Sequence, residues 1–378
     1  MRSQPLDFLR GLAVVLVLFR HQQYMPALSA IGWLGVDLFF VLSGFLVSGL
    51  LFRQYLNDGN IRPVNFLIRR GFKIYPLYFA FLAAWLLHCI FRQNIMHEPG
   101  FHYKANLLYG QVLFIQNYYL LRFGPTWTLA IEEHFYILLA IGLFICSLRT
   151  GLLKSSKTAW AISAILVLVL AGRMYFNNLV LPYQPNPEYY THRRIDSLLA
   201  GVLLSWFWHF KQAYIQAFAA KYTLVLVAIG ILPFALAFNY SFESGFMQGA
   251  GLCLVYIGFT CLLLWFITSP SVFKLFKMHY ISSIMRAFAL LGVYSYAIYL
   301  FHIIMLDWRL STAIPHFDWS FGSLFSFCLY FAVSIGGGIT ASAIIEKPIL
   351  KLRDKWAPAK PNSKNSAAIN YPDQQIKA

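Results

Sequence analysis

The chain has 378 residues, 59% of them hydrophobic and only 12% charged, with a mean hydropathy of +0.60. A soluble domain carries roughly 25% charged residues, so the composition excludes a water-soluble globular protein and leaves room for about ten spans of about 20 residues with short loops. The net charge is +16, but the basic residues punctuate apolar segments instead of gathering in one domain, which argues against a nucleic-acid partner.

The first apolar run predicts a span over 7–25. It reads as the first span rather than as a signal peptide, because Asp7 and Arg10 sit before the run, Arg20 and His21 end it, and no small-residue cleavage pattern follows. Arg10 and His21 are eleven residues apart, which returns to nearly the same helix face about 16 Å further along the axis. An arginine near the cytoplasmic side can grip a phosphate, and a histidine deeper in can act as a general base. The bland alternative is a headgroup anchor and a histidine capping the far end.

The second span, 33–52, carries Asp37 early and Ser43 near its middle. An ionisable residue within a span usually lines a cavity or a site, and His21 is a candidate partner for Asp37; otherwise Asp37 stays wet near the interface. The next span, 73–91, follows a loop in which Arg69, Arg70 and Lys73 fall close together. Three cations there can hold the phosphates of a nucleotide-type cofactor, or they set topology only. Segment 105–121 is fairly apolar and reads as re-entrant or interfacial.

The span 127–147 holds two adjacent carboxylates, Glu132 and Glu133. They point about 100° apart, so at least one faces the protein interior. After a span at 159–176, the span at 194–210 opens with His192, Arg193, Arg194 and Asp196. Local pairs at i,i+3 and i,i+4 or a polar rim around a site both fit. Spans at 222–238 and 246–268 follow. In the span at 288–307, Ser295, Tyr299 and His302 form one polar stripe. A final span at 321–345 contains Gly336 to Gly338, suited to close helix packing. Residues 1–345 thus read as one membrane domain, and 346–378, with seven basic residues, as a disordered basic cytoplasmic tail.

Twenty-two of the 30 Lys and Arg residues fall on one alternate set of loops and ends. The positive-inside rule then places both termini in the cytoplasm with an even number of spans. The fold class expected is all-α, a polytopic membrane helix bundle of about ten transmembrane helices. The five cysteines show no paired or metal-type spacing, and there is no Gly-rich phosphate loop, zinc spacing or Gly-x-Ser-x-Gly elbow. No metal is expected.

Seven segments stand in a fixed order: LDFLRG with the Arg10-to-His21 spacing, GVDLFFVLSGFL, FLIRRGFKIYPLYF, TWTLAIEEHFY, THRRIDSLLAG, LGVYSYAIYLFH and Glu346-Lys347-Pro348. Together they resemble the acyltransferase 3 family of membrane acyltransferases, from Leu6 to about Pro348. The resemblance implies transfer of an acyl group, most often acetyl, from cytoplasmic acyl-coenzyme A (acetyl-CoA) to a hydroxyl of a surface polysaccharide, such as lipopolysaccharide or exopolysaccharide, or its lipid-linked precursor. It implies a multi-pass protein of the bacterial inner membrane. His21, Asp37, Glu132 and Glu133 become the catalytic candidates, and Arg10, Arg69, Arg70 and Lys73 the cofactor-binding ones. Arg194, Asp196, Tyr299 and His302 are further polar site candidates.

His21 is expected to act as general base on the acceptor, oriented by Asp37 or by one of the two glutamates. Three positions depart from the family pattern: Thr128 for serine, His134 for glutamine and Lys73 for arginine, the last losing the bidentate fork. Some relatives carry a fused hydrolase-type domain; here any second carrier is expected to be separate or unnecessary. Two other classes fit intramembrane charges: an exporter of a glycan or acylated intermediate without acyl-transfer chemistry, and a membrane scaffold or sensor.

Overall fold

A computed structural model describes residues 3–22, 24–94, 106–118, 126–178, 189–307 and 324–358. Within them the regular structure is helical. In hydrocarbon every backbone N–H and C=O must be paired inside its own segment, and long apolar runs therefore fold as helices. The elements are α1 (Gln4–Arg20), α2 (Pro26–Ile31), α3 (Leu34–Asp58), α4 (Pro63–Asn94), α5 (Asn106–Val112), α6 (Trp127–Ser147), α7 (Ser156–Asn178) and α8 (Thr191–Phe210). After them come α9 (Gln212–Lys221), α10 (Thr223–Asn239), α11 (Leu252–Thr268), α12 (Pro270–Leu275), α13 (His279–Asp307), α14 (Leu324–Ala341) and α15 (Lys347–Trp356). Prolines stand in the first turn of α1, α2, α12 and α15, where the missing N–H costs nothing. Gly59 ends α3 with a left-handed φ of 74°, a conformation open to glycine.

Each of the ten expected spans coincides with a helix. By length and apolarity, seven segments among the described residues are able to cross a membrane, or eight if α9 and α10, which meet at an 85° bend, form one span. Helices α1 and α8 are not among them. Helix α1 has only 17 residues, and α8 carries Arg193, Arg194 and Asp196. The expected count of about ten is therefore not reached on those properties alone. Both of these helices carry charge, Asp7 and Arg10 on α1 and Arg193, Arg194 and Asp196 on α8.

The segment expected to be re-entrant forms the short helix α5 followed by tight turns, with the rest of 105–121 outside the described residues. The region from 346, expected to be a disordered tail, opens with α15, which packs on α4; residues 359–378 lie outside the described part.

Helices α1 and α13 pack closely, as do α3 and α8. Small residues make both approaches possible. A Cβ on Gly11 would stand 1.9 Å from the Phe288 carbonyl oxygen, and one on Gly292 would stand 1.7 Å from that of Asp7. Across the other pair, a Cβ on Gly44 would meet the Leu198 oxygen at 1.9 Å and one on Gly201 the Val41 oxygen at 2.2 Å. Gly338 approaches Ile298 in the same way, while Gly336 faces open space. On the outside, Leu138, Val167, Leu168 and Leu224 are exposed, the apolar surface that a lipid-embedded bundle presents.

Candidate active site

Among the described residues, one cavity lies toward each end of α1. The first, of about 200 Å³, is lined by Arg10, Ser43, Arg70, Lys73, Thr128, Glu132, Tyr136, Ser295, Tyr296 and Tyr299 among others. The second, of about 150 Å³, is lined by Arg20, His21, Trp33, Trp127, Tyr189, Arg194, Phe242 and Tyr299, with smaller neighbours. Val36 and Tyr299 line both. Helix α1 thus gives Arg10 to one cavity and His21 to the other.

In the first cavity a relay of hydroxyls ends on a carboxylate. Tyr136 donates to Glu132 Oε2 at 2.9 Å, and its oxygen is 3.0 Å from Ser43 Oγ. The Arg70 guanidinium lies 5.4 Å from the centre of the Tyr136 ring, within cation–π range. Glu133 points elsewhere: Tyr75 donates to its Oε2 at 3.0 Å, and Glu133 is not among the residues lining either cavity. The adjacent glutamates therefore split, as their 100° separation requires. Thr128 keeps the hydroxyl of the serine it replaces and pairs with the Tyr299 hydroxyl at 2.8 Å.

Three of the four cations expected to hold phosphate line this cavity: Arg10, Arg70 and Lys73. Lys73 is also ion-paired with Glu346, and Ser342 donates to that carboxylate's other oxygen at 2.8 Å. Arg69 is not among the lining residues. It reaches the C-terminal helix instead, donating to the Ala357 carbonyl and to Asp354 at 3.3 Å.

At the other end the expected His21–Asp37 pair does not form. Asp37 is fully buried, and both its oxygens accept from Arg194 Nη2 at 3.0 Å; Ser197 Oγ donates to Oδ1 at 3.1 Å. The reason is proximity: Gly44 and Gly201 draw α3 against α8, so the nearest cation takes the aspartate. The histidine that does approach His21 is His302, with ring centres 5.1 Å apart. His302 is fully buried, and its Nδ1 lies 2.5 Å from the Tyr299 carbonyl oxygen. A carbonyl only accepts, so Nδ1 carries the hydrogen and Nε2 is left as an acceptor on the neutral ring. Nε2 is buried with no partner.

Asp196 finds an ion-pair partner on another helix. It faces Arg173 of α7 at 2.8 Å, both side chains almost wholly buried. Arg173 was missed from the sequence because it reads as a loop charge near a helix end. Tyr75, Trp33 and Trp127 were missed as well, since single aromatics in an aromatic-rich chain carry no signal. His134, at a glutamine position, reaches Thr191 Oγ1 at 2.7 Å, and His192 contacts the Tyr118 hydroxyl at 3.1 Å. Among the described residues no group of His, Cys, Asp and Glu could hold a metal ion.

Comparison with known proteins decides the family. The model of the acyltransferase 3 family, described as an acyltransferase domain, matches residues 4–343. The chain belongs to this family. The relatives that match include the peptidoglycan O-acetyltransferase OatA of Listeria monocytogenes, 28% identical over 79% of this chain and 48% of its own length. A Bacillus subtilis protein named putative peptidoglycan O-acetyltransferase YrhL is 29% identical over 79% of this chain and 47% of its own. A Staphylococcus aureus protein named putative O-acetyltransferase is 28% identical over 81% and 51%. The chain spans about half the length of these curated relatives. No solved structure matches. As an acyltransferase 3 family member with multiple apolar helices, the protein is a multi-pass membrane protein.

Proposed function

We propose that the protein transfers an acyl group, acetyl in the first instance, from cytoplasmic acyl-coenzyme A to a hydroxyl of a surface glycan or its lipid-linked precursor, in the bacterial inner membrane. The observation that carries the reading is the division of α1 between two cavities that share Val36 and Tyr299. Arg10, Arg70 and Lys73 suit the phosphates of the donor, and the pantetheine arm would carry the thioester toward the shared wall. On the far side His21 would take the proton of the acceptor hydroxyl. The alkoxide oxygen attacks the thioester carbonyl carbon, the C–S bond breaks, and the coenzyme leaves as the thiol with a proton. His302, whose ring packs 5.1 Å from that of His21, would hold the His21 ring in place instead of Asp37. The peptidoglycan named for two relatives makes its sugars the first acceptors to try.

The test is a His21→Ala protein that still inserts and folds, given radiolabelled acetyl-CoA in membranes. Label reaching glycan should fall by about 10²–10⁴-fold, the worth of a general base. Transfer at the wild-type rate removes His21 from the mechanism, and wild-type membranes that move no label to any acceptor favour an exporter.

A further inference from the structure

A third cavity, of about 380 Å³, lies apart from the other two, as a groove between α7, α8 and the start of α9. Leu203 and Phe207 stand four residues apart on one face of α8, and Lys211 follows at the helix end. From Leu203 to Lys211 the groove runs about 12 Å along the helix. Ser156, Trp160 and Ser163 form the opposite wall on α7, and Tyr214 of α9 makes a lip. The floor is fixed. Trp206 is buried and donates its indole N–H to the Leu153 carbonyl at 2.8 Å, and the Phe207 ring stands edge-on to it, with centres 5.1 Å apart.

The groove opens toward lipid. Only 11% of the most apolar stretch of α7 is buried in the protein. Trp160 and Tyr214 are exposed at the end that holds Lys211, the level at which such rings meet headgroups. Helix α9 leaves the axis of α10 by 85°, so beside a spanning α10 it lies along the membrane surface. The charge at that end has one sign. Residues 147–163 and 203–222 carry Arg149, Lys154, Lys157, Lys211 and Lys221 and no Asp or Glu. Lys154 is turned onto the Tyr55 ring at 5.8 Å and Lys221 onto the Tyr222 ring at 5.2 Å. Among the neighbouring helices, α3 ends near Asp58, which pairs with Arg62 at 3.4 Å. Glu132, Glu133 and Asp196 lie at the far ends of α6 and α8.

We infer that this groove seats one anionic glycerophospholipid, with an acyl chain between Trp160, Leu203 and Phe207 and the phosphate against Lys211. Basic pockets between helices on the cytoplasmic side suit such headgroups. A zwitterionic lipid would bring its own cation to Lys211. Free phosphate would leave the apolar trough unfilled. A second copy of a chain of net charge +16 would add like charge. The site shares no lining residue with the first two cavities, so it stands independently of acyl transfer.

The experiment mixes the full chain, delipidated in detergent, with phosphatidylglycerol or with phosphatidylcholine of the same acyl chains, and counts bound lipid by native mass spectrometry. Wild type should hold one phosphatidylglycerol about three- to tenfold more tightly than phosphatidylcholine, the worth of about one near-surface lysine. Lys211→Gln should remove that preference. Ser163→Phe, which fills the apolar end, should weaken both lipids. Lys277→Gln, at an exposed cation outside the groove, should change neither. Equal affinity of wild type for the two lipids, an unchanged preference in Lys211→Gln, or an equal loss in Lys277→Gln overturns the site. So does displacement of the lipid by glycerol 3-phosphate, or full lipid affinity in Ser163→Phe. A lipid-free dimer that Ser163→Phe breaks gives the groove to a second copy instead. The unfolding midpoint without lipid checks folding; if Ser163→Phe lowers it, Lys211→Gln, at an exposed position, decides alone.

Discussion

Asp37 carries two demands at once. It is buried within the bundle, and its charge is balanced by one nitrogen of Arg194. Removing one partner of such a pair costs about 3–5 kcal/mol, because the other charge is left uncompensated. Asp37→Ala should therefore reduce the folded, detergent-stable fraction sharply, read as a drop in the thermal unfolding midpoint. The double variant Asp37→Leu with Arg194→Met should regain most of that stability. A single variant that unfolds like the wild type but loses transfer would restore Asp37 to the chemistry. Glu346 gives the opposite kind of case. It competes for Lys73, one of the cations lining the first cavity. Glu346→Gln removes the competing charge, so acetyl-CoA should bind several-fold more tightly, with the gain shrinking as salt rises. Unchanged or weaker binding would place Lys73 outside donor recognition. At this scale the sequence made Glu132 legible, since a carboxylate inside an apolar helix has to face the interior. Arg173 and the choice of Arg194 as partner of Asp37 were not legible, because both depend on which helices touch.

Helices meet in this bundle where side chains are absent. The Gly44 and Gly201 positions bring the α3 and α8 backbones together, and that approach sets which charges pair. Gly44→Ala would force a Cβ into a carbonyl and should cost about 1–3 kcal/mol as an overpacking change. Gly142→Ala on α6 meets open space and serves as the matched control, with little change or a small gain from helix propensity. Thermal unfolding of the two variants in one detergent checks the contrast; equal midpoints would mean that α3 and α8 do not pack this closely. The apolar runs marked the ten long helices that hold the expected spans, but not their true lengths, and not the short helices α2, α9, α12 and α15. Helix α4 begins at Pro63 and α13 at His279, well before their apolar runs, because backbone pairing continues past the hydrocarbon edge. The 85° bend between α9 and α10 also had no sequence signal beyond Lys221 itself.

For the whole molecule, the two cavities give the membrane topology a chemical meaning. If α1 and α8 cross the bilayer despite their charge, the count rises from eight to ten and Arg10 and His21 fall toward opposite sides. Two of the charges on α8 are then compensated inside the protein: Arg194 by Asp37, Asp196 by Arg173. Internal pairing is what allows such helices to sit at membrane depth. The loops that test this are described. The turns at Gly59 and Gly151 should face the cytoplasm, and the turn at 240–246, which supplies Phe242 to the second cavity, should face outward. Single cysteines at Asp58, Arg149 and Glu243, in a chain whose own cysteines are changed to alanine, report it by labelling with a membrane-impermeant maleimide. Intact cells should label only Glu243→Cys; opened cells should label all three. Labelling of Asp58→Cys from outside would reverse the orientation and put the cationic cavity away from cytoplasmic donor. Labelling of both Arg149→Cys and Glu243→Cys from outside would show an even number of crossings between them, and α8 would then be buried in the bundle without spanning.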